Sequence, residues 1–113
     1  LCFQGPGNGI QLKDGTLVFP AQYKGKDKVP HSCFVASTDG GKNWTISPAA
    51  APDGPPTSEC AIAETADGSL LLSMRNESRG GKRVWARWEW KDTITAGKWG
   101  EHWLAVTDPT CMA

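Results

Sequence analysis

Glu59 and Arg75 are the two residues of this sequence whose types and spacing could do chemistry together. A carboxylate can accept a proton or face a cation, and a guanidinium can hold an anion through its planar fork of N–H donors. Between them lies Thr65-Ala66-Asp67-Gly68-Ser69, turn chemistry flanked by the apolar runs Cys60-Ala61-Ile62-Ala63 and Leu70-Leu71-Leu72. The segment 59–75 is therefore predicted to be a β-hairpin. If Ala66, Asp67 and Gly68 form its loop, Thr65 faces Ser69, and counting outward pairs Ile62 with Leu72, Cys60 with Met74, and Glu59 with Arg75. Opposed residues share a face with Cβ atoms about 4.5–5.5 Å apart, so the anion and the cation emerge together at the open end of the hairpin. A two-residue loop would shift the register by one and break the pair. On their own, two such residues are an ordinary cross-strand ion pair, worth under about 1 kcal/mol when exposed.

The elements that must position this pair are strands. Ile10 to Lys13, the Asp14-Gly15 turn and Thr16 to Tyr23 predict a second hairpin, rich in residues that fit a pleated surface. Before it, Gly5-Pro6-Gly7-Asn8-Gly9 is a glycine-rich loop, without the helix carrying Lys and Ser or Thr that a phosphate cradle needs. His31 to Ala36 predicts another strand, with Trp44 to Ser47 as its antiparallel partner. Pro48 to Pro56 is a surface crossing of Ala, Pro, Asp and Gly. Arg83 to Trp90 reads as a strand whose Trp residues fall at odd and even positions, Lys91 to Lys98 as a loop, and Trp99 to Val106 as one further strand.

An internal repeat organises these elements. Asp14-Gly15-Thr16-Leu17-Val18-Phe19 corresponds to Asp67-Gly68-Ser69-Leu70-Leu71-Leu72, each copy followed by a strand, a turn and another strand. Four antiparallel strands recurring at about 40–50 residues point to the blades of a β-propeller, which bury their faces by stacking on neighbours. The expectation is an all-β chain holding about two four-stranded blades, 1–50 and 51–113, the second of them whole or cut short. With no initiator Met and both ends inside patterned sequence, the chain reads as a fragment of a longer protein, marginally stable or self-associating when isolated.

Composition narrows the function classes. Twelve basic and twelve acidic residues give a net charge of zero, and no Lys or Arg cluster supplies the electrostatic footprint of a nucleic-acid binder. No apolar run is long enough to span a bilayer as a helix. Cys2, Cys33, Cys60 and Cys111 lack metal-ligand spacing and fit buried free thiols, although an even number permits disulfides. No metal and no cofactor is called for.

Ser37-Thr38-Asp39-Gly40-Gly41-Lys42-Asn43-Trp44 resembles the Asp box, Ser-x-Asp-x-Gly-x-Thr-Trp, with Asn43 in place of Thr. Its expected role is structural: Asp39 accepts backbone N–H bonds, glycine permits the dihedrals, and Trp44 packs under the turn. Gly5 to Ile10, Asp14 to Gln22, the Asp box, Ser58-Glu59-Cys60 and Asp67 to Asn76, taken in that order, resemble the middle of the bacterial exo-α-sialidases (neuraminidases). That resemblance implies a six-bladed propeller whose intact parent releases terminal sialic acid from glycans or glycoproteins with retention, outside the cell, in the periplasm or at the cell surface.

The resemblance also implies roles. Glu59 would polarise a nucleophilic Tyr lying beyond residue 113, and Arg75 would belong to an arginine triad that binds the substrate carboxylate. Such chemistry has a physical reason. Sialic acid carries its carboxylate on the anomeric carbon, so a neutral phenol attacks without the repulsion a carboxylate nucleophile would meet. A phenol with pKa about 10 needs a base beside it. The repeat places Gln22 at the position equivalent to Arg75, making Gln22 a candidate polar contact to the sugar, with a solvated strand residue as the plainer alternative. Arg79, Arg83 and Arg87 read as solvated or lying over Trp faces, and His31 and His102 as structural or exposed. Because the other triad arginines, an acid/base Asp and the Tyr would lie outside this segment, the fragment is expected to be inactive alone. The competing reading is a non-catalytic Asp-box propeller serving as a glycan-binding or protein-interaction module.

Overall fold

The structure, a computed structural model, describes residues 2–4, 7–78 and 81–107, with residues 2–4 and Thr107 described through their backbone alone. Gly5, Pro6, Arg79 and Cys111 lie outside the described residues, as do the side chain and redox state of Cys2. Among the described residues, ten strands form two antiparallel sheets. The first contains β1 (Cys2–Gln4), β2 (Ile10–Gln11), β3 (Leu17–Lys24), β4 (Pro30–Ser37) and β5 (Thr45–Ile46). The second contains β6 (Thr57–Glu64), β7 (Leu70–Asn76), β8 (Lys82–Glu89), β9 (Lys98–Trp99) and β10 (Trp103–Thr107). β1 and β2 lie along successive parts of β3, and β10 and β9 along successive parts of β8, so each sheet is four strand positions wide. The segment read as one final strand, Trp99 to Val106, is thus two strands separated by a break.

The two hairpins fold for the same reason. Gly68 N–H donates to Thr65 O at 3.0 Å and Thr65 N–H to Ser69 O at 2.8 Å; Gly15 and Leu12 make the equivalent bonds. Gly15 and Gly68 have φ of +93° and +88°, the left-handed region that closes a three-residue loop at little cost only for glycine. Asp14 and Asp67 brace their loops by accepting the N–H of Thr16 and Ser69.

Strand alternation then divides the faces. Leu70, Leu72 and Met74 of β7 are completely buried, while Leu71, Ser73 and Arg75 between them are partly exposed. The buried set joins Cys60, Ile62, Val84, Ala86 and Trp88 of its own sheet and Val18, Phe34 and Ala36 of the other in one core. Phe34 stands edge-on to Trp88 at 5.2 Å and to Trp99 at 5.8 Å, tying the sheets through a favoured aromatic geometry. Two expectations need correction here. Ala49, Ala50 and Ala51, in the segment read as a surface crossing, are buried; side chains this small let the connection lie in the inter-sheet core. Arg83 is buried rather than solvated, and its guanidinium donates to the Ser73 hydroxyl at 2.7 Å. Trp85 and Trp103 stack on the other face of the second sheet, 13° from parallel. This division of the tryptophans between two faces explains their mixed parity.

The Asp box is folded as its residues imply. Asp39 accepts N–H bonds from Lys42 at 3.1 Å and Asn43 at 2.9 Å, and side-chain bonds from Ser37 at 2.8 Å and Asn43 at 2.7 Å. Asn43 thereby uses its amide where the pattern has a threonine. Trp44 donates its indole N–H to Gly41 O at 3.0 Å and remains partly exposed against Phe19. The bonds from Asn43 and Ser37 hold the Asp39 carboxyl down to about 2, from an ordinary 3.8. A carboxyl depressed in the fold stabilises fully above its unfolded pKa and ceases to do so as pH falls through the folded value. Acidification from pH about 4 to about 2 is expected to lower the thermal midpoint, and Asp39→Ala to flatten that part of the pH dependence. An unchanged slope in the variant would contradict the turn's assigned role. Part of the slope should survive, since Asp14, Asp27 and Asp67 are lowered by similar hydrogen bonds.

Candidate functional site

The hairpin register holds as counted from Glu64 to Cys60, with Ile62 opposite Leu72 and Cys60 opposite Met74. Beyond that point counting fails: a bulge between Cys60 and Thr57 brings Thr57 opposite Asn76. A bulge inserts an unpaired residue and turns the strand, re-aiming the side chains beside it. Bonds from the neighbouring sheet lie beside it. Ser32 N–H donates to Thr57 Oγ1 at 2.9 Å and Ser32 Oγ to Ser58 O at 2.7 Å, both buried, so the start of β6 is held to β4 as well as to β7.

Glu59 and Arg75 still meet. Arg75 Nη1 lies 3.5 Å from Glu59 Oε2, with both side chains about one-third exposed. On the other side of the same guanidinium, Arg75 Nε lies 3.2 Å from Glu77 Oε1. Glu77 also accepts the Ser58 hydroxyl proton, and its N–H donates to Pro56 O at 2.9 Å, extending the pairing past the end of β7. In the sequence Glu77 stands between Asn76 and Ser78, in a polar run of turn-forming residues. Simple alternation, Arg75 plus two, would have put it on the same face.

Gln22 sits on β3 opposite Ser32, the residue stitched to Ser58. It is 8% exposed. No buried side-chain nitrogen or oxygen among the described residues lacks a partner, and no hydrogen bond to the Gln22 amide occurs among them. The little surface Gln22 retains therefore includes its amide. It faces the second sheet, as Arg75 faces away from the first, so the two occupy equivalent positions on equivalent strands. No hydrogen bond links Gln22 to Glu59 or Arg75 among the described residues.

The remaining candidates separate from this rim. Arg87 pairs with Asp67 at 3.2 Å at the opposite, loop end of the hairpin, with both groups exposed. His31 lies 3.3 Å from Asp27 and beside Tyr23, while the ring of His102 packs over Gly54. Cys33 and Cys60 are buried, and burial pushes the Cys60 thiol up to about 11, far from a nucleophilic thiolate at neutral pH. No cluster of three or more metal-ligating side chains occurs among the described residues. A depression of about 530 Å³ bounded by Pro48, Trp88, Trp99 and His102 includes none of Glu59, Arg75 or Gln22. The acidic and basic pair stands instead on an open sheet face.

An antiparallel two-sheet repeat with an Asp box and a charged rim defines a class, and comparison with known proteins agrees with it. Residues 1–103 match the BNR repeat-like domain family. The chain belongs to that family, and its curated relatives make it sialidase-like. It is 42% identical over 114 residues to a sialidase of Bacteroides fragilis (strain YCH46), covering 97% of this chain and 19% of that protein. A Paraclostridium sordellii sialidase is 37% identical over 78 residues, covering 66% of this chain and 19% of the relative. The chain thus spans about a fifth of the length of these relatives. Among solved structures, a protein of unknown function from Dyadobacter fermentans DSM 18053 superposes with a TM-score of 0.68 at 20% identity, over 86% of this chain and 27% of that one. That likeness concerns the fold alone.

Proposed function

We propose that this chain supplies part of the active site of an exo-α-sialidase, a propeller of six blades that hydrolyses terminal sialic acids from glycans or glycoproteins with retention. The observation that carries the reading is the convergence of Glu59 and Arg75, 3.5 Å apart at one end of a hairpin whose other face is core. Arg75 is the carboxylate-binding group, since a guanidinium keeps its charge and offers paired donors to a carboxylate. Glu59 is the base that prepares a phenolic nucleophile from elsewhere in the protein. Gln22 contributes a polar contact to the sugar from the neighbouring sheet. The sialidase relatives support the substrate class.

Incubating the intact protein with an α-sialoside and following the sugar's proton NMR spectrum tests the reading. Release of sialic acid first seen as the α-anomer is expected. Binding of the sialoside without cleavage would instead establish the glycan-binding module, and release as the β-anomer would exclude the covalent route through Tyr.

A further inference from the structure

We propose that Glu77 is a positioning residue for Arg75: it sets the direction in which the guanidinium is presented to the carboxylate of a sialoside, and Ser58 sets Glu77. This rests on the sialidase reading. Arg75 lies between two carboxylates, with Nη1 toward Glu59 at 3.5 Å and Nε toward Glu77 at 3.2 Å. A long arginine side chain left with a single partner would swing onto it, here onto the group that must remain available as a base. The second carboxylate draws the other side of the guanidinium the opposite way. With Nε and Nη1 turned toward the two glutamates, Nη2 and the second N–H of Nη1 are the donors left to meet a carboxylate with two parallel bonds.

Glu77 is itself held in place, unlike an ordinary surface acid. It accepts the hydroxyl proton of Ser58, and its N–H is bonded to Pro56 O at 2.9 Å. Ser58 is 8% exposed, and its carbonyl accepts the buried Ser32 hydroxyl at 2.7 Å. The chain Ser32, Ser58, Glu77, Arg75 therefore runs from the first sheet, through the bulge of β6, to the guanidinium. Among the described residues, the exposed Arg87–Asp67 pair at the loop end has no such support beyond its own turn.

The test compares wild type, Glu77→Gln and Ser58→Ala in the intact protein, measuring affinity for sialic acid and for its methyl ester by calorimetry. Glu77→Gln is expected to weaken the free acid about tenfold and leave the ester nearly unchanged, with Ser58→Ala moving the same way by a smaller factor. In an Arg75→Ala background the Glu77→Gln effect should vanish. Equal loss of acid and ester, no loss at all, or a loss that persists without Arg75 would overturn the proposal. Should wild type bind neither ligand, the sialidase reading fails. A crystal structure of Glu77→Gln then decides the positioning claim: a displaced Arg75 guanidinium upholds it, and an unmoved one refutes it.

Discussion

Arg75→Ala in the intact protein is expected to lower kcat/KM for a sialoside by roughly 10²–10³-fold, corresponding to about 3–4 kcal/mol of lost charge pairing in the transition state. Truncation removes both donors aimed at the substrate carboxylate. It also leaves Glu59 and Glu77 facing each other without the cation that lies within 3.5 Å of both. Two carboxylates at one rim then repel an anionic substrate, so the loss should exceed that of a neutral hydrogen-bonding side chain. Arg75→Lys is expected to recover only part of the activity, because an ammonium restores the charge without the planar fork. Activity within threefold of wild type in the alanine variant would remove Arg75 from the site.

Glu59→Gln is expected to act on a different constant. The amide keeps the shape of the side chain but cannot accept the phenol's proton, so kcat should fall by about 10²–10⁴-fold, the range attributed to a positioned base. KM should change little, since the arginine that meets the substrate keeps Glu77 as a partner. The melting temperature should hold as well, because Glu59 is about one-third exposed and contributes no core surface. A fall in kcat accompanied by loss of folded protein would point to the bulge and its inter-sheet bonds. A normal kcat would mean that Glu59 is only the partner of an ion pair.

Much of this architecture was legible from local chemistry. Asp67-Gly68 and Asp14-Gly15 identify their loops because a three-residue connection needs one residue at positive φ, and glycine alone supplies it cheaply. Leu70, Leu72 and Met74 identify a buried face by simple alternation. The Asp box identifies its turn because both carboxylate oxygens of Asp39 accept bonds from residues within four positions. All of these are short-range facts.

What escaped was set by the other sheet. The bulge between Thr57 and Cys60 exists beside bonds from Ser32, far away in sequence. Arg83 looked solvated because its strand carries Trp85 and Trp88 on opposite faces, which hides the alternation; its bonds to Ser73 on the neighbouring β7 belong to the folded sheet. Ala49 to Ala51 have the composition of an exposed connection, and only the packing of two sheets makes small side chains there a way of closing the core. Glu77 carries no such signal, because Asn76 and Ser78 beside it have the composition of a polar turn. Its hold on Arg75 also needs Ser58, which the bulge presents.

The most direct measurement is a crystal structure of the intact protein with sialic acid bound. The sugar carboxylate is expected within hydrogen-bonding distance of the Arg75 terminal nitrogens, Glu59 beside a tyrosine hydroxyl near the anomeric carbon, and the Gln22 amide against another part of the same sugar. A sialic acid seated elsewhere, with Arg75 and Glu59 covered by a neighbouring sheet and closed to solvent, would contradict that arrangement.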